Sequence, residues 1–247
     1  MSLVVSFDYG QTLAELDAEL LAARVAERQA RVDPRAIRAA TSLAWQSYNR
    51  AKRDGASGRD AWCCLMERWL LEAGIQSIAQ PAQGAEPLAR GLSEWLWSEQ
   101  PRKNLWRQPI SGMLELVSEL GQRGVPLAIV SNSEGHLREL VEELGQASYF
   151  AAVVDSGKLD FEKPDRRMFE LAAQQLNSTV AELIHIGDAW EADVVGAIGA
   201  GARAIWFASS QERKLPSGVK ACSDAEQVRA ALLEFGVPLA AVSGGRG

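Results

Sequence analysis

Two aspartates follow short apolar segments of the chain, at positions where a folded sheet binds its ligands. Asp8 follows residues 3–7, and Asp188 follows residues 183–186 and a glycine. Apolar runs of this length that end in small or polar residues predict buried strands. Open α/β sheets bind ligands at the carboxyl ends of such strands. A carboxylate there can act as a nucleophile or supply oxygen to a hard cation such as Mg²⁺.

Polar residues also follow two further apolar segments. Ser131 ends the run Val125–Val130, and Lys163 comes after Val153–Asp155. In chain order, these sites resemble the four motifs of the haloacid dehalogenase superfamily: Asp-x-Asp-x-Thr, a strand-terminal Ser or Thr, a Lys, and Gly-Asp-x-x-x-x-Asp. The motifs are present as Asp8–Thr12, Ser131, Lys163 and Gly187–Asp193. The resemblance extends from about residue 3 to about residue 207, apart from the segment between the first two motifs.

The resemblance implies a Mg²⁺-dependent phosphatase or phosphotransferase that acts on a small, anionic, phosphorylated metabolite through an aspartyl phosphate. The implied catalytic residues are the nucleophile Asp8, Ser131 and Lys163. The implied metal ligands are Asp8, the Gly10 carbonyl, Asp188 and Asp193, the last binding through water or supporting the other ligands. The residues implied to hold or orient the phosphoryl group are Thr12, Ser131, Asn132, Ser133 and Lys163.

Two of these residues have a second interpretation. Thr12 either orients its loop or hydrogen-bonds Asp8, and Asn132 either hydrogen-bonds the nucleophile or locks the loop after the second motif. The backbone amides of Asn132 and Ser133 are expected to hold phosphoryl oxygens, because donors point outward at a strand-to-helix turn.

The chain departs from the family pattern at Gly10, where the family's phosphatases have a second aspartate. That aspartate protonates the leaving oxygen and then activates water, and general acid–base catalysis of this kind contributes about 10²–10⁴-fold to a rate. A backbone carbonyl can still bind metal at Gly10, because that role needs no side chain. The departure predicts slow turnover, a substrate with a good leaving group, or a proton from a neighbouring residue.

Three other functions are left as alternatives. The family's dehalogenases have Tyr at the position of Gly10 and need no metal, whereas Gly187–Asp193 keeps the metal pattern. The family's phosphonatases have Ala there and use a desolvated cap lysine, for which Lys52 and Lys103 are the candidates. The principal alternative is a binding or regulatory protein that keeps the fold and the ligand site without turnover.

Helical and strand patterns alternate from about residue 112 onward. Apolar runs at Val125–Val130, Leu183–Ile186 and Ala204–Phe207 are separated by helical stretches. This alternation predicts a parallel sheet with helices on both faces, and residues 3–7 are predicted to join its centre. The predicted fold class is α/β, a doubly wound, Rossmann-like core. His185 lies inside one predicted strand and is interpreted as a strand residue that faces a helix.

Residues 14–109 show helical periodicity and almost no strand signal. An all-helical insertion at this point resembles the family's cap. The predicted domains are therefore an α/β core of residues 1–13 and 110–247 and a smaller helical cap domain of residues 14–109. A basic segment with two glycines, Arg50–Arg59, connects two predicted helices of the cap. Family caps use such a loop to contact substrate, and a solvated loop is the other interpretation.

The composition limits the partners of the chain. Its 247 residues carry a formal charge of −6, and its three cysteines form neither a disulfide framework nor a zinc spacing. An acidic balance argues against nucleic acid, which is bound by basic surfaces. No apolar run approaches the roughly 18 residues of a membrane helix, and no secretory signal is visible. These features predict a cytoplasmic protein without a nucleic-acid or membrane partner.

Overall fold

The computed structural model describes residues 2–82, 84–207 and 214–239. The strands in these ranges are β1 (Val4–Phe7), β2 (Ala14–Leu16), β3 (Ala30–Arg31), β4 (Gln76–Ser77), β5 (Trp106–Pro109), β6 (Leu127–Ser131), β7 (Ala152–Asp155), β8 (Leu183–Gly187), β9 (Arg203–Phe207) and β10 (Val219–Cys222). The α-helices are α1 (Ala18–Ala26), α2 (Pro34–Arg53), α3 (Gly58–Glu72), α4 (Ala85–Glu99), α5 (Met113–Gln122), α6 (Leu137–Glu143), α7 (Arg166–Gln175), α8 (Gly196–Ala200) and α9 (Ala225–Glu234). None of the helices in the described ranges is both long and apolar enough to cross a membrane.

The chain divides into two compact units. The first contains Met1–Glu15 and Gln108–Gly247, and the second contains Leu16–Arg107. The first unit is built on a six-stranded sheet in the order β10-β9-β8-β1-β6-β7. All five pairings between neighbouring strands are parallel. The prediction of a doubly wound parallel α/β sheet with residues 3–7 at its centre is confirmed.

The central strands are buried along their whole length, which explains their nearly continuous apolar sequences. Every residue of β1, β6 and β8 is buried. Helix α7 contributes Met168 and Phe169, and helix α8 contributes Ala197, to the same apolar cluster as Val130 of β6. The packed sheet thus provides a rigid frame for the loops that leave its carboxyl edge.

The second unit is mainly helical. Helices α2, α3 and α4 pack in succession, and the Trp69 indole N–H donates to the Ile37 carbonyl at 2.7 Å, which joins α3 to α2. Helix α2 begins at Pro34, behind Asp33, whose carboxylate caps it. The two-residue strands β3 and β4 form an antiparallel pair. The sequence pattern of this segment, which is helical, does not predict that pair.

The chain connects the two units through β2 and β5, which pair with each other. On the side of the first unit, the Ile110 N–H donates to the Leu13 carbonyl at 3.0 Å. On the side of the second unit, the Asp17 N–H donates to the Leu105 carbonyl at 2.9 Å. The outgoing and returning segments are therefore hydrogen-bonded neighbours.

Candidate active site

The loop after β1 carries Asp8 and is closed by backbone hydrogen bonds. The Asp8 N–H donates to the Ile186 carbonyl at 2.8 Å, so Asp8 continues the pairing of β1 with β8. The Tyr9 carbonyl accepts from the Leu13 and Ala14 N–H groups at 2.9 and 3.0 Å. Asp8 is 8% exposed. The turn therefore fixes a nearly buried carboxylate at the carboxyl end of the central strand.

Gly10 and Thr12 lie in the tight part of this loop. Gly10 is bridged to Ala14, and the next residue, Gln11, has the left-handed backbone with φ 57°. Thr12 is fully buried, and its hydroxyl has no hydrogen-bond partner within the described part of the chain. Of the two interpretations of Thr12, the structure agrees with packing that shapes the loop and shows no bond to Asp8.

Lys163 lies at the centre of the predicted site. Its ammonium donates to Asp8 Oδ1 at 2.8 Å, to Asp193 Oδ1 at 2.6 Å and to the Val130 carbonyl at 2.8 Å. Lys163 is only 4% exposed, and these three acceptors use all three of its N–H donors. The third and fourth motifs are thus joined to the first through a single buried cation.

The segment after β6 is held against the backbone of Lys163. The Asn132 side-chain amide donates to the Lys163 carbonyl at 3.0 Å, and its oxygen accepts from the Lys163 N–H at 2.8 Å. Asn132 therefore locks the loop, as one of its two interpretations states. Ser131 is buried at the end of β6, and it is one of the groups that lower the pKa of Asp8 against the larger effect of burial.

Ser133 is engaged within the protein. Its hydroxyl donates to Asp155 Oδ1 at 2.6 Å, and its N–H donates to Ser156 Oγ at 3.2 Å. The structure thus gives both donors of Ser133 to the loop after β7, whereas the resemblance assigned its N–H to a phosphoryl oxygen. The donors left for that role in this loop are Ser131 and the backbone of Asn132.

Asp155 and Gly157 hold the loops after β6 and β7 together. The Asp155 carboxylate also accepts from the Gly135 N–H at 3.1 Å and from the Leu137 N–H at the start of α6 at 3.0 Å. A Cβ on Gly157 would stand 2.2 Å from the Gly135 nitrogen. The approach of the two loops therefore requires glycine at this position.

The loop after β8 carries two further carboxylates, Asp188 and Asp193. Asp193 lies in a π-helical segment, Trp190–Val195, and its Oδ2 accepts from the Ala189 N–H at 2.8 Å. Ligand oxygens of Asp8, Asp188 and Asp193 lie within 4.8 Å of one another. The predicted carboxylates are thus close enough to share a cation.

Two neighbouring residues position this loop. The Trp206 indole N–H donates to the Asp188 carbonyl at 2.9 Å. A Cβ on Gly187 would stand 2.3 Å from Asp193 Cγ. The glycine of the fourth motif therefore provides the space that the Asp193 side chain occupies.

The electrostatics of the cluster are unbalanced, because three carboxylates surround one ammonium. Burial, and then the charges of Asp193 and Asp8, raise the pKa of Asp188 well above its ordinary value. Burial also raises the pKa of Asp8, against the lowering effect of Lys163. Burial acts on Asp193 in the same sense, but Lys163 and His185 hold the pKa of that carboxyl below its ordinary value. The charged forms of Asp8 and Asp188 are therefore the ones that burial disfavours and that a bound cation would stabilise.

Sequence reasoning missed the polar residues that support the site. Ser6 and His185 are polar residues inside otherwise apolar strands, and that contrast is the signal that marks them. Asp155 has a weaker signal, because a strand-end aspartate is also an ordinary turn residue. Trp206 has no such signal in the sequence, since an indole at the end of an apolar strand is expected from packing alone.

A family model described as haloacid dehalogenase-like hydrolase matches residues 5–201. Among curated proteins, phosphoserine phosphatase of Thermus thermophilus is 34% identical over 136 residues, which cover 55% of this chain and 53% of that protein. Haloacid dehalogenase-like hydrolase domain-containing protein 3 of Homo sapiens is 25% identical over 201 residues, covering 78% and 76% of the two chains. The match to the first of these relatives spans about half of its length.

Solved structures with the same fold cover nearly the whole chain. The HAD-hydrolase YfnB from Bacillus subtilis, bound to magnesium, aligns with a TM-score of 0.67 and 22% identity over 94% of this chain and 98% of that one. A HAD phosphatase from Thermococcus onnurineus aligns with a TM-score of 0.56 and 20% identity over the same shares of the two chains. At these identities the likeness shows the fold.

Proposed function

Because the chain belongs to the family of haloacid dehalogenase-like hydrolases, we propose that it is a Mg²⁺-dependent phosphatase or phosphotransferase for a small phosphorylated metabolite. The observation that supports this proposal best is the bond of the buried Lys163 ammonium to both Asp8 and Asp193. A nucleophilic carboxylate that attacks a phosphate dianion needs a nearby cation, because the two negative groups otherwise repel each other.

In the proposed reaction, a carboxylate oxygen of Asp8 attacks the phosphorus atom and the bond from phosphorus to the leaving oxygen breaks. An aspartyl phosphate results, and water then attacks its phosphorus and restores the Asp8 carboxylate. Lys163 neutralises charge on the nucleophile and on the phosphoryl group. The Ser131 hydroxyl and the Asn132 N–H are proposed to hold phosphoryl oxygens at the end of β6.

The donor set fits Mg²⁺. Asp8 and Asp188 offer carboxylate oxygens, the Gly10 backbone can add a carbonyl oxygen, and Mg²⁺ is normally bound by one or two carboxylates with water. Burial, and then the charges of Asp193 and Asp8, raise the pKa of Asp188, and a dication beside these carboxylates would favour their charged forms. Asp193, whose carboxylate already accepts from Lys163 and Ala189, is proposed to support the ligands rather than to bind metal directly. Bound Mg²⁺ would neutralise the transferring phosphoryl group.

We expect Asp188→Ala to lower the affinity for Mg²⁺ by about tenfold or more, because it removes a charged oxygen ligand. Its fold should persist, since burial and neighbouring carboxylates disfavour the charged form of Asp188 in the metal-free protein. Calorimetric titration of wild type and variant measures the difference. Asp160→Ala removes an exposed carboxylate of the same unit and serves as the control. Equal Mg²⁺ affinities for wild type and Asp188→Ala would contradict the proposed site.

The helical unit is proposed to act as a cap that selects the substrate. Its basic segment forms the end of α2, the turn and the start of α3, and Arg50, Arg53 and Arg59 are exposed. Exposed guanidinium groups suit an anionic substrate, because they donate charge-assisted hydrogen bonds to phosphate or carboxylate. Lys52 of the same segment is half-buried.

We expect Arg53→Ala and Arg59→Ala to change substrate selectivity more than stability. Loss of a charge-assisted hydrogen bond removes about 1.5–3 kcal/mol, and the ratio of kcat/KM between two phosphate esters should shift by about tenfold or more. The free energy of unfolding should change by no more than about 0.5 kcal/mol. Arg35→Ala, at the other end of α2, is the matched control. Unchanged ratios across a panel of esters would indicate a solvated loop.

A second candidate function, ligand binding without turnover, is favoured by one observation. Gly10 supplies no acid or base where the family's phosphatases have an aspartate. A panel of phosphate esters assayed with and without Mg²⁺ separates the two functions. Mg²⁺-dependent phosphate release that is lost in Asp8→Asn supports the enzyme, and binding without release supports the alternative.

A further inference from the structure

A line of buried polar side chains runs from β1 to the ammonium of Lys163. Ser6 Oγ lies 2.9 Å from His185 Nδ1, and His185 Nε2 lies 3.2 Å from Asp193 Oδ1. The same Asp193 oxygen accepts from Lys163 at 2.6 Å. Ser6 and His185 are fully buried and Asp193 is 1% exposed. A continuous set of hydrogen-bonded side chains therefore links the interior of the sheet to the Lys163 ammonium.

The pairing of strands β1 and β8 determines where these buried polar side chains lie. Ser6 and His185 are paired residues of the neighbouring parallel strands β1 and β8, so their side chains lie side by side on one face. Gly187 follows His185 by two residues and belongs to the same face. Because Gly187 has no side chain, the Asp193 carboxyl fits there, next to the imidazole. The ring of Phe169 packs edge-on against the imidazole, with centroids 5.1 Å apart.

The hydrogen bonds define which nitrogen of His185 carries the proton. A carboxylate accepts only, so Nε2 donates to Asp193 and carries the hydrogen. In a neutral ring Nδ1 is then an acceptor, and the Ser6 hydroxyl donates to it. The Asp193 carboxylate therefore selects the Nε2–H tautomer, and the Ser6 hydroxyl supplies a donor to the other nitrogen.

We propose that Ser6 and His185 are positioning residues that fix the Asp193 carboxylate and, through it, the Lys163 ammonium beside Asp8. Asp193 Oδ1 is shared between Lys163 and His185, while Oδ2 is bound to the Ala189 N–H. The three donors hold the carboxyl group in one orientation, and without the imidazole it can turn away from Lys163. An orienting partner of this kind resembles the residues behind metal ligands, whose loss typically reduces affinity or activity by about 10–100-fold.

The tautomer is directly measurable, because the chain has only two histidines. Two-bond ¹⁵N–¹H correlation spectra of the full chain, purified without a histidine tag, report the protonation of each imidazole nitrogen. His136→Gln, at an exposed position, assigns the two sets of signals. We expect His185 as the neutral Nε2–H tautomer, and we expect Ser6→Ala to keep that tautomer but to shift the Nδ1 resonance, because the hydrogen bond from the hydroxyl is lost. An imidazolium or an Nδ1–H ring in the wild type overturns the proposal.

Kinetics test whether the hydrogen bond to Asp193 matters for the reaction, and this test rests on the proposed phosphatase function. His185→Leu removes the donor, and we expect kcat to fall by about 10–100-fold with KM little changed, because Lys163 acts on the nucleophile. His185→Gln can present an N–H at a similar position, so it should recover most of kcat. If His185→Gln is no better than His185→Leu, or if His185→Leu keeps the wild-type kcat, the proposal is wrong.

The spectra also distinguish a failure of the phosphatase proposal from a failure of the positioning proposal. If the wild type hydrolyses no ester, the phosphatase proposal fails, and the wild-type tautomer and the shift of Nδ1 in Ser6→Ala still decide the positioning proposal. The same spectra decide it if His185→Leu does not fold.

Discussion

Replacing Gly10 by aspartate should raise the steady-state rate of phosphate ester hydrolysis by up to about 10²–10⁴-fold, because it supplies the missing general acid and base. The largest gain is expected for alkyl phosphates, whose leaving oxygens must be protonated. Aryl phosphates with leaving groups of low pKa should gain less in the first step. The slope of log kcat/KM against leaving-group pKa should therefore be steep in the wild type and flatter in the variant.

Gly10→Asn is the matched control for this experiment, since it adds the same volume without an acid. The backbone at this position is bridged to Ala14, so the folding of both variants must be compared with that of the wild type. If Gly10→Asp folds as the wild type does and turnover is unchanged, another residue supplies the proton.

Wild-type protein mixed with p-nitrophenyl phosphate should show a pre-steady-state burst of p-nitrophenolate. Attack by Asp8 expels a leaving group that needs no proton, whereas water that attacks the aspartyl phosphate still needs a base. The intermediate should therefore accumulate to about one equivalent per active site before slow turnover, a pattern typical of covalent catalysis. Stopped-flow absorbance measures the amplitude, and a burst that is absent in Gly10→Asp agrees with the same mechanism.

Asp8→Asn is the second change with a large expected effect, a loss of turnover of about 10⁴-fold or more, on the order seen when a nucleophile is removed. An amide is a poor nucleophile, but its oxygen can still accept from Lys163. Lys163 also keeps its bonds to Asp193 and Val130, so the variant is expected to fold. Asp160→Asn, an exposed change in the same unit, controls for the loss of one negative charge.

Residual turnover by Asp8→Asn near the wild-type level would remove Asp8 from the role of nucleophile. Mass spectrometry of the wild type quenched during turnover gives an independent check, because a phosphoryl adduct should map to a peptide that contains Asp8.

The parts of the fold that depend on burial could be predicted from the sequence. Strands β1, β6 and β8 are buried on both faces, and burial of that kind requires the apolar runs by which the sequence reveals them. Once those strands are placed, the topology of a parallel sheet brings Asp8, Ser131 and Asp188 to one edge. Four-residue β10 was not predicted, because its sequence, Val219–Cys222, includes a lysine and no continuous apolar run.

The partners of individual polar groups could not be predicted in the same way. The bonds of Ser133 to Asp155, and of Asn132 to the Lys163 backbone, join segments that are 22 and 31 positions apart. Such bonds depend on where loops end in three dimensions, and periodicity carries no information about that. The segment Trp190–Val195 is π-helical, a form that often occurs at functional sites and that helical periodicity does not distinguish from an α-helix.

The hydrogen bond between Leu13 and Ile110 holds together the two ends of the helical insertion, where the chain leaves the first unit and returns to it. Because the departing and returning segments already touch, the entropy of closing the insertion depends only weakly on how many residues it contains. We therefore expect the spacing of β1 and β6 to tolerate changes in the length of the helical segment between β2 and β5. Under the proposed function, selectivity can therefore change with the helical unit, while the positions of Asp8, Ser131 and Asp188 are set by the parallel strands.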